Sequence, residues 1–313
     1  MPTLTQTTDD IILPFQVADT AVRGRIVRLS GAINEILSAH EFPDPLSELL
    51  GEAVSLVAMM GASLKFDGKL IFQAKGDGPA PLIVADYSAG GALRATAKAP
   101  KEADDASLPR GAALLGKGTI VLTIDQGPDM ERYQGVTPIE GESLADAAVA
   151  YFAQSEQIPT IIKLAVGRIA IPGEGESWRA GGLMAQFVPG EGGVRERGEA
   201  QKLSSDDREI WERARAFIET TQADELLDPS ISAETLLYRL FHEDGVRVFE
   251  PAPLRAECSC NVEKITAVLS RYSSEDLRDM VDENAITVTC EFCRRPYHFT
   301  PDGVPVNEKS TAS

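Results

Sequence analysis

Cys258-Ser259-Cys260 and Cys290-Glu291-Phe292-Cys293 hold all four cysteines of this 313-residue chain, with 29 residues between the two pairs. A C-x-C answered by a C-x-x-C offers four soft thiolates, the number a tetrahedral zinc ion takes in a closed structural site. The pairs can also close as two local disulfides, Cys258–Cys260 and Cys290–Cys293, where the backbone lets each pair approach. The spacing alone therefore admits two chemical states, a metal site or two bridges. From Pro251 onward the chain has about 60 residues and few large apolar side chains. At that size a metal often substitutes for core.

The residues around the cysteines predict a small domain over 251–313. Val262, Ile265, Val268 and Leu269 mark a short helix, and Ser273-Ser-Glu-Asp276 carries the capping signature of another, running to about Val281. Ala285–Thr289 and Tyr297–Phe299 read as strands on either side of the Cys290–Cys293 knuckle. His298 offers a substitute ligand, but it reads as an exposed strand residue, because four cysteines already complete a closed site.

Upstream, residues 191–250 read as a charged helical linker. Between Gly193 and Glu250 there are 8 Lys/Arg and 14 Asp/Glu in 58 residues, a far denser charge than the 25% of the whole chain. The stretch opens glycine-rich at Glu191–Gly198, as a linker does. Ser205 is expected to cap a helix with Asp206 and Asp207 in its first turn and a stripe of Ile210, Ala214, Phe217 and Ile218. Ser232 is expected to cap a second, with Leu236, Leu237, Leu240 and Phe241, ended by Gly245. Helices of this length are marginal alone and must dock to persist. The segment is thus either a packed linker or one whose marginal stability lets it melt. Val246–Glu250 then alternates like a strand.

Residues 1–190 predict one α+β domain, a mostly antiparallel sheet with helices set against it. Ile11–Arg28 has strand character. Ile33–Ser38 marks a short helix, and Asp44-Pro45 opens a longer one, with Asp44 as N-cap and apolar residues nearly all round from Leu46 to Ala58. Lys69–Ala74, Pro81–Asp86, Ala92–Ala97, Thr119–Asp125 and Arg132–Thr137 form a meander with glycine-rich turns and the turn Gln126-Gly127-Pro128-Asp129. Ser143–Gln154 is a further helix, and Ile158–Ile171 and Gly182–Val188 are strands.

This domain carries no catalytic constellation. Gly111-Ala-Ala-Leu-Leu-Gly116-Lys117 matches most of a phosphate-binding loop. Gly118 stands where Ser or Thr is needed, and a strand pattern follows where the motif requires a helix, so it reads as an ordinary turn. Gly76-x-Gly78 lacks a surrounding βαβ unit. His40, His242 and His298 lie in separate segments, and neither G-x-S-x-G nor H-E-x-x-H occurs. The expectation is therefore not an enzyme.

Composition narrows the partners. An apolar content of 43% supports a real core. A net charge of −18 argues against nucleic acid, which needs a basic face. The longest mostly apolar uncharged run, Ala53–Leu64, has 12 residues, too few to cross a bilayer. Met1–Asp10 has neither a basic nor an apolar signal region. The expectation is a cytoplasmic protein that engages neither membrane nor nucleic acid. In that compartment clustered thiols read as metal-binding or redox-active.

Oxidation would join the two chemical states. Zinc-bound sulfur is held as thiolate, the form oxidants attack. A sulfenic acid at one cysteine can condense with the thiol beside it. Bridging removes the thiolate ligands, and with them the folding energy the metal supplies. The competing reading is a permanent zinc knuckle without a redox role.

Together these residues resemble the 33 kDa chaperonin family, the redox-regulated heat shock protein 33 chaperones of bacteria. The resemblance rests first on the Cys258-x-Cys260 and Cys290-Glu291-Phe292-Cys293 pairs, their spacing, and Tyr297-x-Phe299. It extends through Leu236-Leu-Tyr-Arg-Leu-Phe-His-Glu243, Val246-x-Val-Phe249, Leu64-Lys-Phe-Asp-Gly68, Gly76-x-Gly-Pro79, Tyr133-Gln-Gly135, Tyr151-Phe-x-x-Ser-Glu-Gln157 and Ala180-Gly-Gly182. The chain departs from the pattern at Asn261-Val262-Glu263, where the family often carries serine and arginine, and in its longer Gly190–Gly198 stretch. Neither departure touches the four cysteines.

The resemblance implies an ATP-independent holdase. The reduced form binds one Zn2+ and is inactive or weakly active. Peroxide with heat, or hypochlorite, drives formation of two disulfides, zinc release and unfolding of the linker. The activated protein, often a homodimer, holds unfolding client proteins against aggregation. Two other classes remain open from the residues alone. One is a zinc-ribbon interaction module. The other is a thiol–disulfide oxidoreductase, whose C-x-x-C should open a helix in a βαβ unit rather than sit between two strands.

Overall fold

Ile11–Val17 (β1) and Val22–Leu29 (β2) form an antiparallel hairpin whose side chains are buried on both faces. Leu13, Phe15 and Val17 enter one hydrophobic cluster, and Ile12 enters another. This sheet is therefore a middle layer with apolar partners on each side. The computed structural model describes residues 9–63, 68–100, 105–127, 130–171, 173, 175–188 and 204–306. The expected Glu191–Gly198 opening of the linker and most of Leu64–Gly68 lie outside the described residues, as does part of the Gln126–Asp129 turn.

The elements that follow are α1 (Gly31–Ser38), α2 (Asp44–Gly61), β3 (Lys69–Gly76), β4 (Leu82–Ser88), β5 (Ala92–Lys98), β6 (Gly118–Asp125), β7 (Tyr133–Pro138), α3 (Leu144–Tyr151), β8 (Thr160–Ile171) and β9 (Gly175–Phe187). After them come α4 (Ser205–Glu219), α5 (Ala223–Leu227), α6 (Ala233–Phe241), β10 (Val246–Val248), β11 (Ala252–Pro253) and β12 (Arg255–Ala256). The last are α7 (Val262–Leu269), α8 (Ser274–Asp279), β13 (Ile286–Thr289) and β14 (Pro296–Phe299). The fold is α+β, as expected. The chain divides into two compact units, Met1–Ala256 and Glu257–Ser313.

The first unit has two sheets. One runs β10-β1-β2-β9-β8, with β11 also paired to β1, and the other runs β12-β5-β4-β3-β6-β7. All pairings are antiparallel except the short β12–β5 contact. Helix α2 is buried along nearly its whole surface, as its apolar circumference predicts. Asp44 is not its N-cap. Pro43 holds that position, and the Asp44 carboxylate instead accepts from Arg168 at 3.0 Å. Proline preceding the first turn already sets the entry, which frees Asp44 for the ion pair.

The phosphate-loop lookalike is a turn. Gly111–Leu114 is a single 3-10 turn and β6 follows directly. Gly78 N–H donates to Leu115 O at 2.7 Å and Ala80 N–H to Leu114 O at 3.0 Å. A Cβ on Gly78 would strike the Leu115 backbone, and Gly116 has a positive φ of 71°. The glycines of both motifs therefore let two turns cross at close range.

Strand β9 begins at Gly175, seven residues before its expected start at Gly182. Glycines weaken strand propensity and mask it in the sequence. A Cβ on Gly181 would meet the Leu226 carbonyl of α5, and one on Gly182 would meet Met59 of α2. The pair thus lets helices approach both faces of one strand.

Helices α4, α5 and α6 cover the second face of that sheet. Trp211, Ala214, Ile218, Leu226, Leu227, Leu236, Leu237 and Phe241 share one cluster with Phe15, Ile26, Leu183 and Phe187. Ser204, not Ser205, caps α4, with Asp207 completing a reciprocal capping box. The Ser-Ser pair left that one-residue choice open, and the carboxylate three residues on decides it. Gly245 ends α6 as expected, with φ 82° and its N–H donating to Phe241 O at 2.7 Å.

Glu52 on α2 has a buried Oε2 without a hydrogen-bond partner. Burial, then Glu48 and Asp146, push its carboxyl up from 4.5 to about 7. The protonated form is thus favoured by folding, so this contribution is complete below the unfolded value and is lost as pH rises toward 7. At about 1.4 kcal/mol for each pH unit between 4.5 and about 7, the cost above neutrality is roughly 3–4 kcal/mol. Glu52→Gln is expected to raise the melting temperature by several degrees at pH 8 and hardly at all at pH 4. Equal shifts at both pH values would contradict this.

The second unit is built on less. Leu269, Leu277, Ile286, Tyr297 and Phe299 form its buried cluster. Asn261 caps α7 by accepting from Lys264 N–H at 2.9 Å, and Ser273 and Asp276 form the expected capping box of α8. β13 and β14 pair antiparallel, with Ile286 opposite Phe299 and Thr289 opposite Pro296.

Candidate metal centre

Two short backbone devices bring the cysteines together. Cys258 and Cys260 lie in the extended segment that leads into the Asn261 cap of α7. Cys290 and Cys293 lie in the turn joining β13 to β14. There Arg294 N–H donates to Cys290 O at 2.9 Å and Cys290 N–H to Arg295 O at 3.0 Å. Arg294 takes φ 58°, which closes the turn.

The four Sγ atoms all lie within 4.8 Å of one another. Cys258 Sγ is 3.7 Å from Cys290 Sγ, and Cys260 Sγ is 3.4 Å from Cys293 Sγ. Zinc–sulfur bonds of roughly 2.3 Å in a tetrahedron require sulfur–sulfur edges of about 3.8 Å. The donor set therefore fits a single four-coordinate ion with only small adjustments. All four are free thiols of intermediate burial. The two short contacts run between the C-x-C and the C-x-x-C rather than within either pair.

The thiols are electrostatically unequal. Burial pushes Cys260 up, but hydrogen bonds from Tyr297, Cys293, Cys258 and Cys290 outweigh it and bring it down to about 7. Burial raises Cys258, and it pushes Cys293 up to about 12. Tyr297 Oη donates to Cys260 Sγ at 3.1 Å, and that bond raises the Tyr297 hydroxyl to about 12. Lys264 Nζ donates to the Ser259 carbonyl at 2.5 Å and steadies the C-x-C segment from α7.

His298 stays outside this cluster. It is exposed on β14, opposite Thr287, with Nδ1 at 3.1 Å from the Thr287 hydroxyl. His40 stacks on Phe42, and His242 lies tilted against Tyr238 with ring centroids 5.9 Å apart, both in the first unit. Among the described residues, no helix is long and apolar enough to cross a membrane.

The family model of the Hsp33 protein matches residues 10–300. The chain belongs to the Hsp33 family. The 33 kDa chaperonin of Caulobacter vibrioides is 48% identical over 301 residues, covering 94% of this chain and 96% of the relative. That of Azotobacter vinelandii is 37% identical over 295 residues, covering 93% and 91%. The crystal structure of the 33 kDa chaperonin from Thermotoga maritima superposes with a TM-score of 0.75 at 23% identity, covering 94% of this chain and 96% of that one. That likeness extends the agreement in fold.

Within the Hsp33 family frame, two site features escaped the sequence reading. Tyr297 stood out as part of a strand motif, yet its hydroxyl is a donor to a cysteine sulfur. Arg28 falls at the end of the expected strand Ile11–Arg28, and Arg179 falls between the expected strands Ile158–Ile171 and Gly182–Val188. In the structure they are buried against Asp9 and the end of α5. No local pattern could have found that pairing, because its partners lie 19 (28 − 9) to 200 residues away in sequence.

Proposed function

We propose that this chain is a redox-regulated, ATP-independent holdase chaperone whose resting form binds one zinc ion through Cys258, Cys260, Cys290 and Cys293. The observation that carries this reading is the cluster of four sulfurs within 4.8 Å of one another in a unit with a five-residue buried core. Zinc would supply roughly 10–16 kcal/mol of apparent folding energy there. Membership of the Hsp33 family, whose relatives are named chaperonins, supports the chaperone half.

The switch would use this chain's own thiols. A thiolate attacks peroxide, water leaves, and the resulting sulfenic acid condenses with the neighbouring thiol to release a second water. Each bridge costs the protein two electrons, which one peroxide accepts. Cys258–Cys260 and Cys290–Cys293 are the proposed pairs. Forming both removes every thiolate ligand and the folding energy they secure.

The output lies upstream. We divide the chain into a client-binding domain (1–190), a linker (191–250) and the switch domain (251–313). Trp211, Ile218, Leu226, Leu236, Leu237 and Phe241 are buried in the resting chain. Their release would offer apolar surface to unfolding client proteins, and a melted charged segment wraps varied clients at low affinity per area. The working form is proposed to be a homodimer in the cytoplasm. It would have no catalytic turnover, and a net charge of −18 opposes nucleic acid as a partner.

The deciding experiment counts zinc and free thiols before and after warming with peroxide. One zinc and four thiols falling together to zero is the expected result, with suppression of citrate synthase aggregation only afterwards. Zinc retained on a fully active protein would overturn the switch. His298→Ala is expected to leave the zinc content unchanged, checked by metal analysis, because His298 sits apart from the sulfurs.

A further inference from the structure

Arg23 and Arg25 lie two residues apart on β2, so both side chains stand on one face of the sheet. Gly24 between them faces the other way, where a Cβ would strike the Phe15 ring. The register carries this face across five strands. Arg23 lies opposite Gln16 of β1, and Gln16 lies opposite Arg247 of β10. On the other side Arg23 lies opposite Gln186 of β9, which lies opposite Thr160 of β8. The result is a row Arg247–Gln16–Arg23–Gln186–Thr160, with Arg25 one step behind it.

The arginines are the charged donors of this row, while Gln16 Nε2 donates to Thr20 O at 2.8 Å and Gln186 Nε2 to the Thr160 hydroxyl at 3.2 Å. No ion pair among the described residues engages Arg23, Arg25 or Arg247. Arg247 instead lies 5.9 Å from the Phe249 ring centroid, and Phe249 is 45% exposed. Arg23 and Arg247 are exposed and Arg25 is half-buried. Burial lowers the Arg25 guanidinium from its ordinary value, and no carboxylate offsets that shift. Like charges on adjacent positions of a sheet repel.

We infer that this face of the sheet binds an extended acidic peptide segment, with Arg23 and Arg25 receiving carboxylates two residues apart. Alternate side chains of an extended peptide recur about every 6.8 Å, the same repeat that separates Arg23 from Arg25. Arg247 stands two strands from Arg23, roughly 10 Å away, within reach of a third carboxylate on the same segment. Guanidinium forks match carboxylates in bidentate fashion, which a lysine cluster would not do. Gln16 and Gln186 are neutral members of the row on either side of Arg23, and Phe249 gives it an apolar border. The site is independent of the cysteines and is present in the resting protein.

The test uses the reduced, zinc-supplemented full chain and a fluorescent peptide alternating Asp with Thr, with an Asn-for-Asp peptide as control. Saturable binding of the Asp peptide alone is expected, weakened about tenfold or more by Arg23→Gln with Arg247→Gln and by added salt. Both substitutions are at exposed positions, and an unchanged melting temperature would show the fold intact. Equal affinity for the double variant, or equal binding of the Asn peptide, overturns the inference. Binding of inorganic triphosphate where the Asp peptide fails replaces the peptide with a phosphate ligand and overturns it as well. Because the protein stays reduced, the result is separate from the thiol and aggregation assays.

Discussion

Replacing Cys290 with serine is expected to lower bound zinc from one per chain to near zero and to unfold residues 257–306, leaving the first unit folded. Cys290 Sγ lies 3.7 Å from Cys258 Sγ and belongs to the four-sulfur cluster. A serine hydroxyl stays protonated near neutrality and is a poor zinc ligand, so three thiolates would remain in a site built for four. The backbone bonds of the turn, Arg294 N–H to Cys290 O and Cys290 N–H to Arg295 O, need no thiol. Unfolding of the unit would therefore report loss of the metal rather than loss of the turn. Leu269, Leu277, Ile286, Tyr297 and Phe299 are too few to hold it without that contribution. Metal analysis reads the first effect, and amide exchange across α7, α8, β13 and β14 reads the second. A chelator acting on the unmodified chain should reproduce both. A Cys290→Ser protein that stays folded in this region without zinc would show that the core suffices. If the proposed function holds, this variant should also suppress client aggregation without oxidant.

The cysteine site was legible because its ligands are rare and closely spaced. Two pairs in a chain otherwise free of cysteine leave few ways to arrange a metal, and the structure brings all four sulfurs together. Strands β3 to β7 were legible because β-branched and aromatic residues alternate between glycine turns. Their order was not. Strand β6 returns to pair with β3, a long-range choice made by packing rather than by any local signal. The early part of β9 was hidden for the opposite reason. Gly181 and Gly182 serve the close approach of α5 and α2 at the expense of strand propensity. Helix α5 is five residues long, below the length at which apolar periodicity can speak. Trp211 joined the buried stripe of α4 beside Ala214 and Ile218, although the dense charge around it concealed its role.

Arg28→Ala is expected to loosen α4–α6 from the sheet by roughly 3–5 kcal/mol while leaving the zinc and all four thiols in place. The Arg28 side chain is 2% exposed, and Asp9 beside it is 10% exposed. Arg28 Nη2 donates to Asp228 O at 2.6 Å and Nη1 to Glu225 O at 3.3 Å. Arg179 Nε donates to Leu227 O at 2.9 Å, and its Nη2 pairs with the same Asp9 carboxylate. Two guanidinium groups therefore satisfy the last carbonyls of α5, where the helix dipole is negative, and one buried carboxylate holds both in place. Alanine at position 28 would leave the Glu225 carbonyl without its donor, the Asp228 carbonyl with the Ile231 N–H alone, and Asp9 with one guanidinium partner instead of two. Arg28→Lys should recover only part of the loss, since a single ammonium cannot reproduce the fork between carbonyls and carboxylate. Amide exchange over residues 205–241 should accelerate by about 10²- to 10³-fold, with β3–β7 unchanged. Wild-type protection of α4–α6 in Arg28→Ala would show that apolar packing alone holds these helices. If they carry the output of the switch, the reduced, zinc-loaded variant should suppress client aggregation without any oxidant. Accelerated exchange without that activity would place the client surface elsewhere. The combination of full zinc, four free thiols and oxidant-independent activity would separate the output from the sensor.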